Sequence, residues 1–302
     1  MSFIEITPTF YQTYKPLLFS LAYRLLGSVT DAEDMVHEIF ISCEKVKRGQ
    51  VEDVKAYLCK MITNRCLDYL KSARKQRESY MGPWLPEPII IDEETERPDR
   101  RVLTREYLSI AYLVLMERLT ATERAVFVLR EVFQFDYREI AEIVEKSEEN
   151  CRKIFSRAKQ KLDARDPEPS ANYKQHKGIL ERFVQAIQAG DKEAMLRLLS
   201  KDVILYTDGG GKVKAAINPI QSSNRVLLFL QGVYSKNSKL DHSVIVNLNG
   251  TPGLLLFRGE ELDSTLCCKF TDQKIEAIYI VRNPDKLHHI RNHIGMTRKK
   301  ST

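Results

Sequence analysis

The residues best placed to do chemistry lie between Ser147 and Leu162. Cys151, Phe155, Ala158 and Leu162 recur at i, i+4, i+7 and i+11, the spacing of one buried helix face. Glu149, Asn150, Arg152, Lys153, Ser156, Arg157 and Lys159 fall outside that face. From Cys151 to Leu162 there are five basic residues and no acid. Such a surface suits the DNA major groove, where arginine pairs bidentately with guanine and lysine holds phosphate. Glu148 and Glu149 suit the positive end of the helix dipole and can also accept from cytosine. Asp136 caps a preceding helix, Tyr137 to Val144, and Ser147 caps this one. The break at Glu145-Lys146 is short enough for a helix-turn-helix. A merely solvated basic helix would explain the charge but not that spacing.

A second basic surface closes the segment Lys60 to Arg77, which carries six basic residues against the single acid Asp68. Asn64, Arg65, Lys71, Arg74, Lys75 and Arg77 are its candidate nucleic-acid contacts. With Tyr57 and Tyr69 nearby, the segment suits phosphate binding and stacking on unpaired bases. The bland alternative is a frayed, charged helix end. The helix from Asp31 to Glu44 has the opposite polarity. Asp31, Glu33, Asp34, Glu38 and Glu44 lie opposite the apolar stripe Ala32, Met35, Val36, Ile39, Phe40 and Cys43. An acidic face beside DNA-binding surfaces implies a protein partner with a basic surface, although an ordinary surface helix would look similar.

These surfaces need elements to hold them. The chain has 302 residues, 43% hydrophobic and 29% charged, with a net charge of +6. These proportions fit a soluble multidomain protein and exclude a wholly disordered chain. Residues 1–78 form a first, all-helical domain. Its first helix stops at Gly27, and Thr30 and Glu33 make a capping box for the second. Residues 79–101 form a linker with four prolines, an acidic run and the only tryptophan, Trp84. Residues 102–162 form a second helical domain, in which Thr120 and Glu123 make another capping box. Residues 163–173 form a second linker, and residues 174–302 an α+β domain of helices followed by a curved antiparallel sheet. The six cysteines show no metal spacing, so buried thiols in a reduced cytoplasmic protein are expected, with no metal, cofactor or membrane span.

Within the α+β domain, Tyr206, Asp208 and His242 are the candidates for acid–base chemistry, but no acid and base are reliably paired. The run Asp208-Gly209-Gly210-Gly211-Lys212 lacks the spacing of a phosphate loop and reads as a turn. Vicinal Cys267 and Cys268 could sense oxidants, but strand neighbours point to opposite faces, which favours burial. A non-enzyme is expected.

Taken together, the segments resemble the sigma-70 family of RNA polymerase sigma factors, specifically its compact extracytoplasmic-function type. Asp31 to Phe40 is similar to the family's polymerase-clamp-binding helix. The resemblance implies that Asp31, Asp34, Glu38 and Phe40 meet the clamp. The segment Ala56 to Arg77 is similar to the part that reads and melts the −10 element. Leu119 to Leu162 is similar to region 4, which reads the −35 element and meets the polymerase flap. Three further strings narrow the resemblance to the subgroup with a fused SnoaL-like, cone-shaped domain. They are Trp84-Leu85-Pro86-Glu87-Pro88, Asp208 to Lys212, and Asn283-Pro284-Asp285-Lys286-Leu287. The resemblance implies that the fused domain replaces a separate anti-sigma factor. It also implies that Trp84, Leu85, Pro86, Asp208, Gly209, Gly210, Gly211, Lys212, Asn283, Pro284, Asp285, Lys286 and Leu287 meet in a regulatory contact within the chain. Rival readings are a stand-alone DNA-binding regulator, which leaves the acidic helix without a job, and a ligand sensor or isomerase-like enzyme with a DNA-binding appendage.

Overall fold

The computed structural model describes residues 5–44, 46, 51–91, 108–162, 172–236, 242–271 and 273–300, with backbone alone for 73–78, 234–236 and 295–300. The chain divides into two compact units.

The first unit is helical. Helix α1 (Pro8–Leu26) starts on Thr7, whose hydroxyl accepts from Phe10 N, and stops at Gly27 in the left-handed region. Helix α2 (Val29–Cys43) starts on Ser28, whose hydroxyl accepts from Asp31 N. The cap therefore falls on Ser28 and not on the expected Thr30, which lies inside the helix. Helix α3 (Val54–Glu78) completes the first bundle. Leu18, Leu21, Leu25, Val36, Ile39, Leu58 and Ile62 are buried as the helical period requires.

Helix α4 (Ile110–Met116) crosses the boundary between the units. Helix α5 (Ala121–Phe127) opens with the expected Thr120–Glu123 capping box and runs into a π-helical turn, Val128–Val132. Gln134 then turns the chain with φ 57° into helix α6 (Tyr137–Val144). Asp136 and Glu139 form a second capping box there, and Glu145 closes α6 with φ 55°. Helix α7 (Glu148–Leu162) follows.

The second unit is α+β and includes the described part of the first linker, residues 79–91. Helices α8 (Tyr173–Ala189), α9 (Lys192–Leu198) and α10 (Ser223–Lys236) pack on one face of a sheet. Its strands are β1 (Leu199–Asp208), β2 (Ile220–Gln221), β3 (His242–Leu248), β4 (Thr251–Arg258), β5 (Glu261–Phe270) and β6 (Ile275–Val281). Their order is β2-β1-β6-β5-β4-β3. The sheet is antiparallel except for β1 beside β6, which run parallel, a departure from the all-antiparallel expectation. Helix α11 (Pro284–Lys300) is the last described element.

Strand alternation separates two faces. Val203 and Leu205 of β1, Leu266 and Cys268 of β5, and Ile278 and Ile280 of β6 join Phe183 and Leu180 of α8 in the core. The alternate residues, among them Tyr206, Asp208, Cys267 and Tyr279, face the other way. Leu85, Ile91, Leu287 and Ile290 are likewise buried within the second unit.

Candidate nucleic-acid and regulatory surfaces

Helix α7 turns its charged residues outward because Cys151, Ala158 and Leu162 are held inside. Glu149, Asn150, Arg152, Lys153, Ser156, Arg157 and Lys159 are all exposed. The Arg152 guanidinium lies 4.4 Å from the Tyr137 ring centroid, so the preceding helix orients it. Arg152 and Lys153 pair with Glu148 and Glu149 one turn back, at 3.4 and 2.6 Å. Exposed pairs of this kind contribute only about 0.3–0.5 kcal/mol, so a phosphate or base edge can displace them. Lys159 meets Glu131 at 3.5 Å and Lys161 meets Glu123 at 2.7 Å, tying α7 back to the π turn and α5.

On α3, Arg65 Nε donates to Glu38 Oε2 at 2.6 Å, and Lys71 pairs with Asp68 at 2.8 Å. The Glu38 contact holds the Arg65 guanidinium above its ordinary range, through the hydrogen bond first and the charge second. The acidic helix and the basic helix therefore share an ion pair. Asn64 is half-buried, and the side chains of Arg74, Lys75 and Arg77 lie outside the described residues. On α2, Asp34 is exposed and Asp31 is partly covered. Phe40 lies on the buried side of α2, as its place on the apolar stripe requires. It is 4% exposed, with its ring 4.6 Å from Tyr11 and 6.3 Å from Phe10, so it packs α2 against α1.

The two helical bundles pack on each other inside the first unit. Arg124 is buried on α5 and donates to Leu25 O, at the end of α1, and to Glu117 at 2.8 Å. Lys55 at the start of α3 lies 5.7 Å from the Phe135 ring, before α6.

In the second unit the three distinctive strings meet. Asp208, at the end of β1, is 0% exposed and organises them. Its Oδ1 accepts from the Tyr80 hydroxyl at 2.6 Å and from Gly210 N at 3.0 Å. Its Oδ2 accepts from Leu85 N at 2.9 Å and from Lys286 Nζ at 2.7 Å. Lys286 also donates to Leu85 O at 2.5 Å, and its ammonium lies 4.1 Å from the Trp84 ring and 5.0 Å from the Tyr80 ring. The aromatic faces and the carboxylate compensate a cation that burial would otherwise penalise. Burial, with the Asp208 contact second, pushes the Tyr80 hydroxyl well above the usual phenol range. Asn283 donates to that hydroxyl at 3.0 Å, and its backbone N–H donates to Asp208 O.

The glycine run forms a turn. Gly210 has φ 60°, and a Cβ there would sit 2.3 Å from Asn283 Nδ2, so the residue must be glycine for this asparagine to approach. Lys212 pairs with Asp285 at 2.5 Å, while Pro284 opens α11 and Leu287 is buried. Further along the linker, Ile89 exchanges two hydrogen bonds with Asn249, and Ile91 N donates to Asn247 O. His289 bonds Pro88 O at 2.6 Å, and burial lowers its pKa. The linker is thus pinned as an irregular extra strand. Pro83, Pro86 and Pro88 carry no N–H, and the linker amides that bond the sheet domain come from Leu85, Ile89 and Ile91.

Tyr80, Asn249 and His289 are working residues that sequence reasoning missed. Asn249 was read only as a turn signal; it sits at φ 53° and 1% exposure, and its side chain satisfies backbone on two sides, at Ile89 and Leu108. Nothing in sequence spacing marks the other two. Of the acid–base candidates, Asp208 is occupied by the linker, Tyr206 stacks on Tyr279, and His242 stacks on Phe257. They do not converge. Cys267 and Cys268 are buried, and burial pushes the Cys267 thiol up to about 12.

A helix-turn-helix with an outward basic face, a second basic helix and an acidic helix have the make-up of a DNA-binding transcription protein. Residues 10–76 match Sigma-70 region 2 and residues 109–162 match Sigma-70, region 4. The chain is 30% identical to the ECF RNA polymerase sigma factor SigJ of Mycobacterium tuberculosis (strain ATCC 25618 / H37Rv), covering 91% of each. It is 27% identical to the probable ECF RNA polymerase sigma factor SigI of Mycobacterium tuberculosis (strain CDC 1551 / Oshkosh), covering 94% of this chain and 96% of that one. The crystal structure of SigJ superposes with a TM-score of 0.76 at 27% identity, over 93% of this chain and 98% of that one. The chain belongs to the extracytoplasmic-function sigma factors of the sigma-70 family. Proteins of this family bind core RNA polymerase and direct it to specific promoters, without bond chemistry of their own.

Proposed function

We propose that this sigma factor reads its promoter through α7 and α3 and is regulated by its own C-terminal unit, acting through the docked linker. Arg152, Lys153 and Arg157, with Glu149, Asn150, Ser156 and Lys159, read or position the −35 element. Asn64, Arg65, Lys71, Arg74, Lys75 and Arg77 engage the −10 element, Arg65 exchanging Glu38 for DNA. Asp31, Asp34 and Glu38 face the polymerase clamp, with Phe40 holding their helix in place, and region 4 meets the flap. The two promoter elements lie about 25 base pairs apart, roughly 85 Å at ~3.4 Å per pair. Bundles joined by Arg124 and Lys55 within one compact unit do not span that distance, so initiation requires them to separate. The linker between them sets how freely they do so.

The observation that carries this reading is the Asp208 network, which ties residues 80–91 to the C-terminal unit through a buried carboxylate and ammonium. A device inside the chain takes the place of a separate anti-sigma factor, and the protein works in the cytoplasm beside its polymerase. The test is in vitro transcription with core polymerase and the full-length chain carrying Trp84→Ala or Asp208→Ala. A changed transcript yield at unchanged protein concentration is expected. Yield and polymerase affinity both equal to wild type would end the proposal.

A further inference from the structure

The face of the sheet turned away from the linker encloses a cavity of about 720 Å³, within the range of small-molecule sites. Its walls come from α8, α10 and the strands: Val184, Ile187, Phe229, Leu254, Leu266 and Ile280 make it largely apolar. Charged groups come from Lys214, Asp263 and Arg282. Asp263 accepts from Arg258 at 2.9 Å and from Arg282 at 3.2 Å, so its charge is already met. Arg282 also donates to Lys214 O at 2.7 Å, which sets the Lys214 backbone against the cavity rim. Lys214 is exposed and has no ion-pair partner among the described residues. Ser264, 3% exposed, lies in the same wall. Asp263 is the only acid among the described lining residues, two arginines pair with it, and Lys214 adds a further cation to the lining. Thr207 takes no part, since its hydroxyl both accepts from Ala216 N and donates to Ala216 O. Gly232 of α10 also lines the space, and a Cβ there meets nothing within 4 Å.

We propose that this cavity binds a small apolar monocarboxylic acid. The hydrocarbon body fills the space between α8, α10 and the sheet, and the carboxylate lies against Lys214 and Arg282. An apolar chamber whose charged lining is net positive favours an amphiphilic anion over a neutral or cationic molecule of equal size, because charge-assisted hydrogen bonds form only with the anion. The inference concerns binding alone and stands whether or not the C-terminal unit restrains transcription.

The test is calorimetric titration of the full-length protein with decanoate, decanol and decylamine as probes. Decanoate is expected to bind one to one, with decanol at least tenfold weaker and decylamine weaker still. Gly232→Phe places a ring in the open space and, as a helical glycine replacement, should leave the melting temperature unchanged or raised. It should weaken decanoate at least tenfold. Lys214→Gln, at an exposed position, should weaken decanoate several-fold and leave decanol unaltered. The proposal is overturned if decanoate shows no heat up to about 1 mM, the weak end of specific affinity. It is equally overturned if decanol binds as well as decanoate, or if a folded Gly232→Phe protein, or Lys214→Gln where that variant alone folds, binds decanoate as wild type does.

Discussion

Replacing Asp208 by alanine removes the carboxylate that receives Tyr80, Leu85, Gly210 and Lys286. Tyr80 and Leu85 belong to the linker; Lys286 lies on α11, with its side chain 7% exposed. The variant therefore leaves an ammonium buried without its counter-ion, at a cost of about 3–5 kcal/mol. Release of the linker lets water reach Lys286 and relieves that cost, so undocking is the expected response. At ~1.4 kcal/mol per decade, the linker's opening equilibrium should shift by roughly two to three and a half powers of ten. Two readouts follow from the geometry. Trp84 is the only tryptophan, and it lies beside the Lys286 ammonium, so its emission should move to the red as the ring enters water. The amides of Leu85, Ile89 and Ile91 should lose protection in hydrogen exchange, since all three donate to the C-terminal unit. The double variant Asp208→Asn with Lys286→Met removes both charges and should recover much of the docking, because replacing a buried pair by neutral groups is far cheaper than orphaning one charge. Wild-type emission and exchange in Asp208→Ala would refute the argument that this network holds the linker.

Arg152→Ala and Lys153→Ala should each weaken −35 binding by roughly 1–3 kcal/mol if they read a base, and by less, uniformly across sequences, if they hold phosphate; binding titrations on matched and scrambled DNA distinguish the two. Gly210→Ala should destabilise the second unit by about 1–2 kcal/mol from its left-handed backbone alone, with displacement of Asn283 added, as thermal melting will read. His289 has a folded pKa below its unfolded value because burial opposes its charge, so stability is full above the unfolded pKa, near 6.5, and falls as pH drops below it. Melting at pH 7.5 and 5.5 checks this, and His289→Gln should flatten the difference. Cys267 and Cys268 should resist iodoacetamide in the native protein and react only on unfolding, since burial raises both thiols.

The helical half of the molecule could be read from residue order because its signals are local. The i, i+4, i+7 stripe of α7, the caps at Thr120 and Asp136 and the stop at Gly27 each need only a few neighbouring residues. The cap of α2 was misplaced because Ser28 and Thr30 both precede a helical stripe, and only packing decides between them. Phe40 is buried, as its period on the stripe indicates. In the second unit the decisive contacts span more than 120 residues, from Tyr80 and Leu85 to Asp208. No periodicity reports such a contact, and the prolines around Trp84 conceal that the segment lies against a sheet. The cavity was also out of reach of sequence spacing, because Lys214, Asp263 and Arg282 converge only through the parallel pairing of β1 and β6 and the turn after β1.

The most direct test of the account is transcription in vitro from a promoter with both elements, using bacterial core polymerase with and without the full-length protein. The account predicts transcripts that depend on the added protein and fall when Arg152 and Lys153 are replaced by alanine. The absence of transcript, together with no binding to core polymerase, would contradict it.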